Sequence, residues 1–208
     1  MPASTIYLLR HGDSRQDDVR RYIGQTDHPL NQTGRTQAEY WRRELLTVPF
    51  ERIFCSTLSR SIETAGIIAS GQKTAVQVLT NLQEISLGEW EGLPIDEVRR
   101  CNPDEYVRRG ASLAEHRPPG GESFDHVAMR VLPLFEELVH SSTGNVLIVG
   151  HAGVNRVILC HILNIPRENL FNLQQDYGCL NIIDSAEAGL HPHHINIQPL
   201  FFTRLTKK

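Results

Sequence analysis

The stretch Asn145-Val146-Leu147-Ile148-Val149 is apolar from Val146 onward and mostly β-branched. A strand with no polar alternation is buried on both faces. That is the pattern of a central strand in a parallel sheet, which needs helices over both faces. Other short apolar runs agree: Ile6-Tyr7-Leu8-Leu9, then residues 51–56, then residues 75–79. Between them lie stretches with helical period. Ala38, Trp41, Leu45 and Leu46 follow a cap at Asn31 or Thr33 and stop by Pro49. Ile62, Ala65, Ile68 and Ala69 follow next, closed by Gly71. Ser123 caps a helix carrying Phe124, Val127, Val131, Leu134, Phe135 and Leu138, and another runs through Val154, Val157, Ile158 and Ile162. Residues 180–183 and 195–202 read as closing strands, antiparallel at the edge. The expected fold is α/β, a three-layer α/β/α sandwich with a mostly parallel central sheet.

At 208 residues the chain fits a single domain. Residues 84–121 read as a small lid insertion over the strand ends. They open with a shaped loop of carboxylates, Trp90 and two glycines. Short helices broken at Pro103 follow, then a flexible connector over 111–121. Residues 13–32 are too polar for a core element; a long loop after a strand suits function.

Lys+Arg number 21 against Asp+Glu 24, a net charge of −3. That balance gives no case for a nucleic-acid or membrane-surface partner. Any bound anion must meet a local cluster of cations. The first residues lack a basic region and a long apolar run, so they do not read as a signal peptide. Cys55, Cys101, Cys160 and Cys179 are scattered, against zinc and against a disulfide framework. Three of them read as small core residues, and a reducing cytoplasm is the expected setting.

Two strand ends mirror each other. Leu9-Arg10-His11-Gly12 and Val149-Gly150-His151-Ala152-Gly153 each place a histidine where an apolar strand leaves the core. In an open α/β sheet that edge binds ligands. If the two strands are parallel neighbours, both imidazoles emerge together. A helix follows His151, so the N–H groups from Ala152 onward attract anions. Arg60 lies just past another strand end. Two arginines, two histidines and a helix start repel one another unless a multiply charged anion offsets them. Phosphate fits, since a guanidinium grips two of its oxygens. His11 can then attack phosphorus, with Arg10, Arg60 and a protonated His151 around the equatorial oxygens. Glu84, beside Leu82 and Ile85, is the candidate proton donor; Glu89 and Glu91 are weaker alternatives.

These residues also carry a resemblance. Leu9-Arg10-His11-Gly12, Asp27-Pro29-Leu30, Gly34-Gln37-Ala38, Ser56-Leu58-Arg60-Thr64-Ala65, Glu84-Gly88-Trp90-Glu91-Gly92, Gly121-Glu122-Ser123 and Gly150-His151-Gly153-Arg156 occur in this order. The set resembles the histidine phosphatase, or phosphoglycerate-mutase-like, superfamily and spans most of the chain. The resemblance implies His11 as the phosphorylated nucleophile and Glu84 as the acid. It implies Arg10, Arg60 and His151 as the phosphate pocket, with no cofactor and no metal requirement. It also brings Asp17, where the family often has Asn, and Ile23, acting through its backbone, to the phosphate. The compact lid is more similar to the phosphatase branch than to mutases, which carry a longer segment there. Within that branch the pattern resembles α-ribazole-phosphate phosphatases of cobalamin synthesis, or broad-specificity phosphomonoesterases. The expected partner is a small phosphorylated metabolite, with a homodimer left open. A mutase and a non-catalytic phospho-ligand binder are the competing readings.

The remaining features have plainer expectations. Trp41 and Trp90 read as packing. His191-Pro192-His193-His194 reads as an exposed loop. Asp17-Asp18 and Arg20-Arg21 read as loop-surface charge. Arg99-Arg100 and Arg108-Arg109 read as solvated helix faces, able to guide an anionic substrate past the lid.

Overall fold

The computed structural model describes residues 4–186 and 189–199. Strands β1 (Ser4–Arg10), β2 (Phe50–Cys55), β3 (Val76–Val78), β4 (Asn145–Gly150), β5 (Leu180–Ala186) and β6 (Gly189–Ile197) form one sheet in the order β3-β2-β4-β1-β5-β6. The first four pair in parallel, and β5 and β6 close one side antiparallel. The apolar β4 is central, flanked by β1 and β2 as its unbroken hydrophobicity requires.

Helices α1 (Gln32–Glu44) and α2 (Ser59–Ala69) pack on one face, and α5 (Phe124–His140) and α6 (Ala152–Leu163) on the other. Alternation along the strands divides the core. Ile6, Leu8, Val146 and Ile148 meet α5 and α6, while Leu9, Ile53, Leu147 and Val149 meet α1 and α2. Asn31 caps α1 through Gly34 N, and Ser123 caps α5 through His126 N. Cys55, Cys160 and Cys179 are buried and Cys101 is exposed; all four are free thiols. Among the described residues no helix is long and apolar enough to cross a membrane.

Three local expectations change. Ile62 is 41% exposed, because α2 turns Ser61, Thr64, Ala65 and Ile68 inward instead. Asp13 and Ser14 are buried inside the polar stretch. The Asp13 N–H donates to Gln37 Oε1, and its carboxylate takes Arg15, so hydrogen bonding makes the burial tolerable. His191–His194 lie within β6 rather than in a loop, where an edge strand tolerates Pro192. His193 there pairs with Asp184 at 2.6 Å. Residues 200–202 of the expected last strand lie outside the described residues.

Between β3 and α5 come α3 (Ile95–Cys101) and α4 (Pro103–Ala111), separated at Asn102 as Pro103 dictates. The connector after α4 is pinned by hydrogen bonds. Glu89 N donates to Pro119 O at 2.9 Å, and Glu122 N donates to Ser86 O at 2.8 Å. The two backbones cross at Gly88, whose φ is +55°. A Cβ there meets Pro119 O at 2.1 Å and Gly121 N at 2.4 Å. Gly88→Ala is therefore expected to lower stability by roughly 2 to 4 kcal/mol, from strain and overpacking together. Gly110, with nothing within 4 Å of an added Cβ, is the control. Equal urea midpoints for Gly88→Ala and Gly110→Ala would refute the crossing as a packed contact.

Candidate active site

Arg10 pairs in register with Gly150, and Cys55 with Val149, so the ends of β1, β4 and β2 lie side by side. His11 leaves β1 with its N–H donating to Gly150 O at 3.0 Å. Gly12 then passes against α1, where a Cβ would meet Gly34 O at 2.4 Å; the close approach is to backbone. Thr64 accepts from Gly12 N and donates to Arg60 O, tying the first strand end to α2.

The His11 ring is buried and its Nδ1 lies 2.7 Å from Gly12 O. A carbonyl only accepts, so Nδ1 carries the proton and Nε2 keeps the lone pair. Arg60 Nε donates to that Nε2 at 3.2 Å. Arg60 is itself 1% exposed, with Nη1 and Nη2 donating to Thr26 O and Gly24 O. Burial, then Arg60, then Arg10 push the His11 pKa well down. The ring is thus neutral and nucleophilic at ordinary pH.

His151 is fully buried, its ring centroid 5.0 Å from that of His11. Its Nε2 shares a 2.7 Å hydrogen bond with Ser56 Oγ, and its Nδ1 has no partner among the described residues. Burial, then His11, Arg60 and Arg10 push its pKa well down too. The protonated His151 expected from sequence is therefore not the resting form: burial first, and then the same cations that favour phosphate, disfavour another positive charge. Arg10 donates from Nη1 to Gln175 O at 2.6 Å and lies 3.6 Å over the Tyr177 ring. Its Nε is buried without a partner.

Glu84 is 7% exposed and held from two sides. Ile85 N donates to Oε1 and Gly153 N, in the first turn of α6, donates to Oε2, both at 2.9 Å. Gly153 is needed for this approach, since a Cβ there would stand 2.4 Å from Oε1. The alternative acids fall elsewhere. Glu89 is exposed. Glu91 accepts from the N–H groups of Gly24, Gln25, Thr26 and Leu87 and from Thr26 Oγ1. Burial opposes its charge, but these bonds outweigh it and hold its pKa below the usual range. Glu91 is a bracket: it shapes the loop whose carbonyls hold Arg60.

A cavity of about 670 Å³ opens over this site, lined by Arg10, Ile23, Glu84, Ala152 and Tyr177 among others. The structure thus brings together Arg10, His11, Arg60, Glu84 and His151, with Ile23 and Ala152 on the cavity wall. Asp17 is apart. Its carboxylate takes Arg21 at 2.9 Å and Val19 N at 3.1 Å, so the expected contact with phosphate gives way to an ion pair. Arg21, read as surface charge, lines the cavity. Arg109, read as a solvated face, is buried. Sequence reasoning missed Gln175 and Tyr177. They precede β5, and only its antiparallel pairing with β1 brings that end beside His11.

The two neutral imidazoles set a pH dependence. Their folded pKa values lie below the unfolded value of 6.5. As pH falls through about 6.5, the unfolded chain takes up protons that the folded one refuses. The stability is present above that pH and lost below it. Urea titrations between about pH 7 and pH 5 are expected to show a falling ΔG that flattens in a His11→Gln/His151→Gln double variant. An unchanged slope would mean the rings are solvated.

Known proteins are similar to this chain over most of its length. Residues 6–198 match the family model of the histidine phosphatase superfamily, branch 1. The adenosylcobalamin/alpha-ribazole phosphatase of Salmonella typhimurium is 28% identical over 184 residues, covering 88% of this chain and 91% of the relative. A 2,3-bisphosphoglycerate-dependent phosphoglycerate mutase of Gloeobacter violaceus is 32% identical over 189 residues, 88% and 86% of the two chains. Among solved structures, mycobacterial glucosyl-3-phosphoglycerate phosphatase superposes with a TM-score of 0.85 at 27% identity, covering 94% of this chain and all of that one. The alpha-ribazole phosphatase of Shigella flexneri gives 0.84 at 26% identity, covering 93% and 96%. Matched along nearly its whole length and carrying its histidine pair at two parallel strand ends, this chain belongs to the histidine phosphatase superfamily and is a phosphatase.

Proposed function

We propose that the protein is a metal-independent phosphomonoester hydrolase working through a phosphohistidine on His11. The observation that carries this is the His11 ring: neutral, with Nδ1–H held by Gly12 O and the Nε2 lone pair unprotonated, accepting from Arg60 Nε, the group that would turn to the phosphoryl oxygens as Nε2 attacks. Nε2 forms the P–N bond as the P–O bond to the alcohol breaks. Arg10, Arg60 and His151 hold the phosphoryl oxygens, where charge spreads in the transition state. Glu84 gives its proton to the departing oxygen. Water then attacks phosphorus, Glu84 takes a proton from it, and His11 leaves with its electron pair. The relatives named above support α-ribazole 5'-phosphate, or a range of small phosphomonoesters, as substrate.

The test is rapid quenching with ³²P-labelled substrate. Acid-labile, base-stable label on the His11 peptide is the expected result. Label elsewhere, or turnover without label, would overturn the mechanism. The mutase relative favours a second reading, phosphoryl transfer between alcohols. That reading requires phosphoglycerate interconversion primed by a bisphosphate; net hydrolysis alone rules it out.

A further inference from the structure

Glu84 sits between two short helical turns, Thr80–Leu82 and Gly88–Trp90, and residues 84–87 belong to no helix or strand. No repeating backbone ladder fixes the acid, so its main-chain groups need partners from elsewhere. Arg130, near the start of α5, supplies them. Its Nη2 donates to Glu84 O at 3.1 Å and its Nη1 to Asn81 O at 2.7 Å. Gln25 Nε2 donates to the same Glu84 O at 3.1 Å.

Arg130 is itself gripped. Its Nε and Nη2 donate to the two carboxylate oxygens of Glu122 at 2.9 and 3.0 Å. This is the bidentate fork that a planar guanidinium makes and an ammonium does not. Glu122 Oε2 also accepts from Ser86 N at 2.9 Å, and Glu122 N donates to Ser86 O at 2.8 Å. One ion pair thus holds main-chain groups of residues 81, 84 and 86. An exposed pair contributes little, but these side chains are only 20% and 24% exposed. Burial opposes the Glu122 charge, yet the bonds from Arg130 and Ser86 hold its pKa below the usual range. Neither Arg130 nor Glu122 lines the described cavity over His11.

We propose that Arg130, locked to Glu122, is a positioning residue for the catalytic acid. It fixes the main chain of Glu84 so that the carboxyl meets the departing oxygen, and it touches no substrate itself. The inference rests on the phosphomonoesterase reading above, with Glu84 as proton donor.

The test compares kcat/KM for p-nitrophenyl phosphate with that for an n-alkyl phosphate in each variant. An alkoxide needs the proton as it departs and a nitrophenolate does not. A displaced acid therefore widens the ratio of the two rates, whereas loss of fold slows both alike. Arg130→Gln is expected to widen the ratio by about 10- to 100-fold, the scale of a small misplacement. Glu122→Gln keeps the Arg130 charge but breaks the fork, and is expected to widen it in the same direction. In a Glu84→Gln background neither change is expected to widen it further. Each ratio comes from one preparation, so it is independent of how much of the variant is folded. An unchanged ratio in Arg130→Gln would overturn the positioning role. So would an unchanged ratio in Glu122→Gln alone, because Arg130 also helps to hold the His151 pKa down and its charge would then be the cause. Further widening in the Glu84→Gln background would overturn it too, since the effect would not run through the acid. Glu84→Gln by itself separates the two readings. If it widens the ratio and Arg130→Gln does not, only the positioning role falls; if it does not, the acid assignment falls and the positioning role with it.

Discussion

His11→Ala is expected to abolish p-nitrophenyl phosphate hydrolysis, lowering kcat by about 10⁴-fold or more, as loss of a covalent nucleophile does. The rest of the pocket cannot substitute. His151 is the nearest nitrogen base, but its Nε2 is engaged with Ser56 Oγ and its ring is packed at zero exposure. The variant keeps its fold, since the β1–β4 ladder and the His11 N–H to Gly150 O bond are backbone contacts. Removing the ring also leaves Arg60 Nε without its acceptor, so inorganic phosphate is expected to bind the variant at least as well. The assay runs in excess chelator. Activity in His11→Ala within tenfold of wild type, or a wild type stopped by chelator, would remove the nucleophile assignment.

Glu84→Gln is expected to separate substrates by their leaving groups. An alkoxide needs a proton as it departs, so alkyl phosphates are expected to slow by about 10² to 10⁴-fold. Nitrophenolate departs without one, so p-nitrophenyl phosphate is expected to lose far less in the phosphorylation step. Both rates come from one preparation, which separates the chemistry from any loss of fold. Some loss is expected. Glu84 accepts from Ile85 N and Gly153 N, and an amide offers only one oxygen to those two donors. The mismatch costs about 1 to 3 kcal/mol, readable as a lower urea midpoint. Equal slowing of both substrates would make Glu84 a structural anchor for α6 and not the acid.

The acid assignment shows how far residue type carries an argument. Glu84, Glu89 and Glu91 share one loop and are chemically alike. Their roles differ by what surrounds them: solvent at Glu89, five hydrogen bonds at Glu91, two N–H groups and a cavity at Glu84. The arginine pairs make the same point. Arg108 pairs with Glu105 in the open, while Arg109, one position on, turns inward among three rings. At one residue per 100° of helix, neighbours in sequence face different worlds.

By itself the sequence determined the layers, the central place of β4 and the shared edge of Arg10, His11, Arg60 and His151. Those follow from hydrophobic period and from turns at strand ends, which are local properties of the chain. Tertiary structure alone decided which nitrogen of His11 carries the proton and which keeps the lone pair, that His151 rests uncharged, and that Asp17 answers Arg21. It also brought Gln175 and Tyr177 to the first strand from 165 residues away, as the Arg10 contact with Gln175 shows. Hydrogen-bond partners and burial depend on what arrives from elsewhere in the chain. A linear pattern records which residues want to be inside, not which groups they meet there.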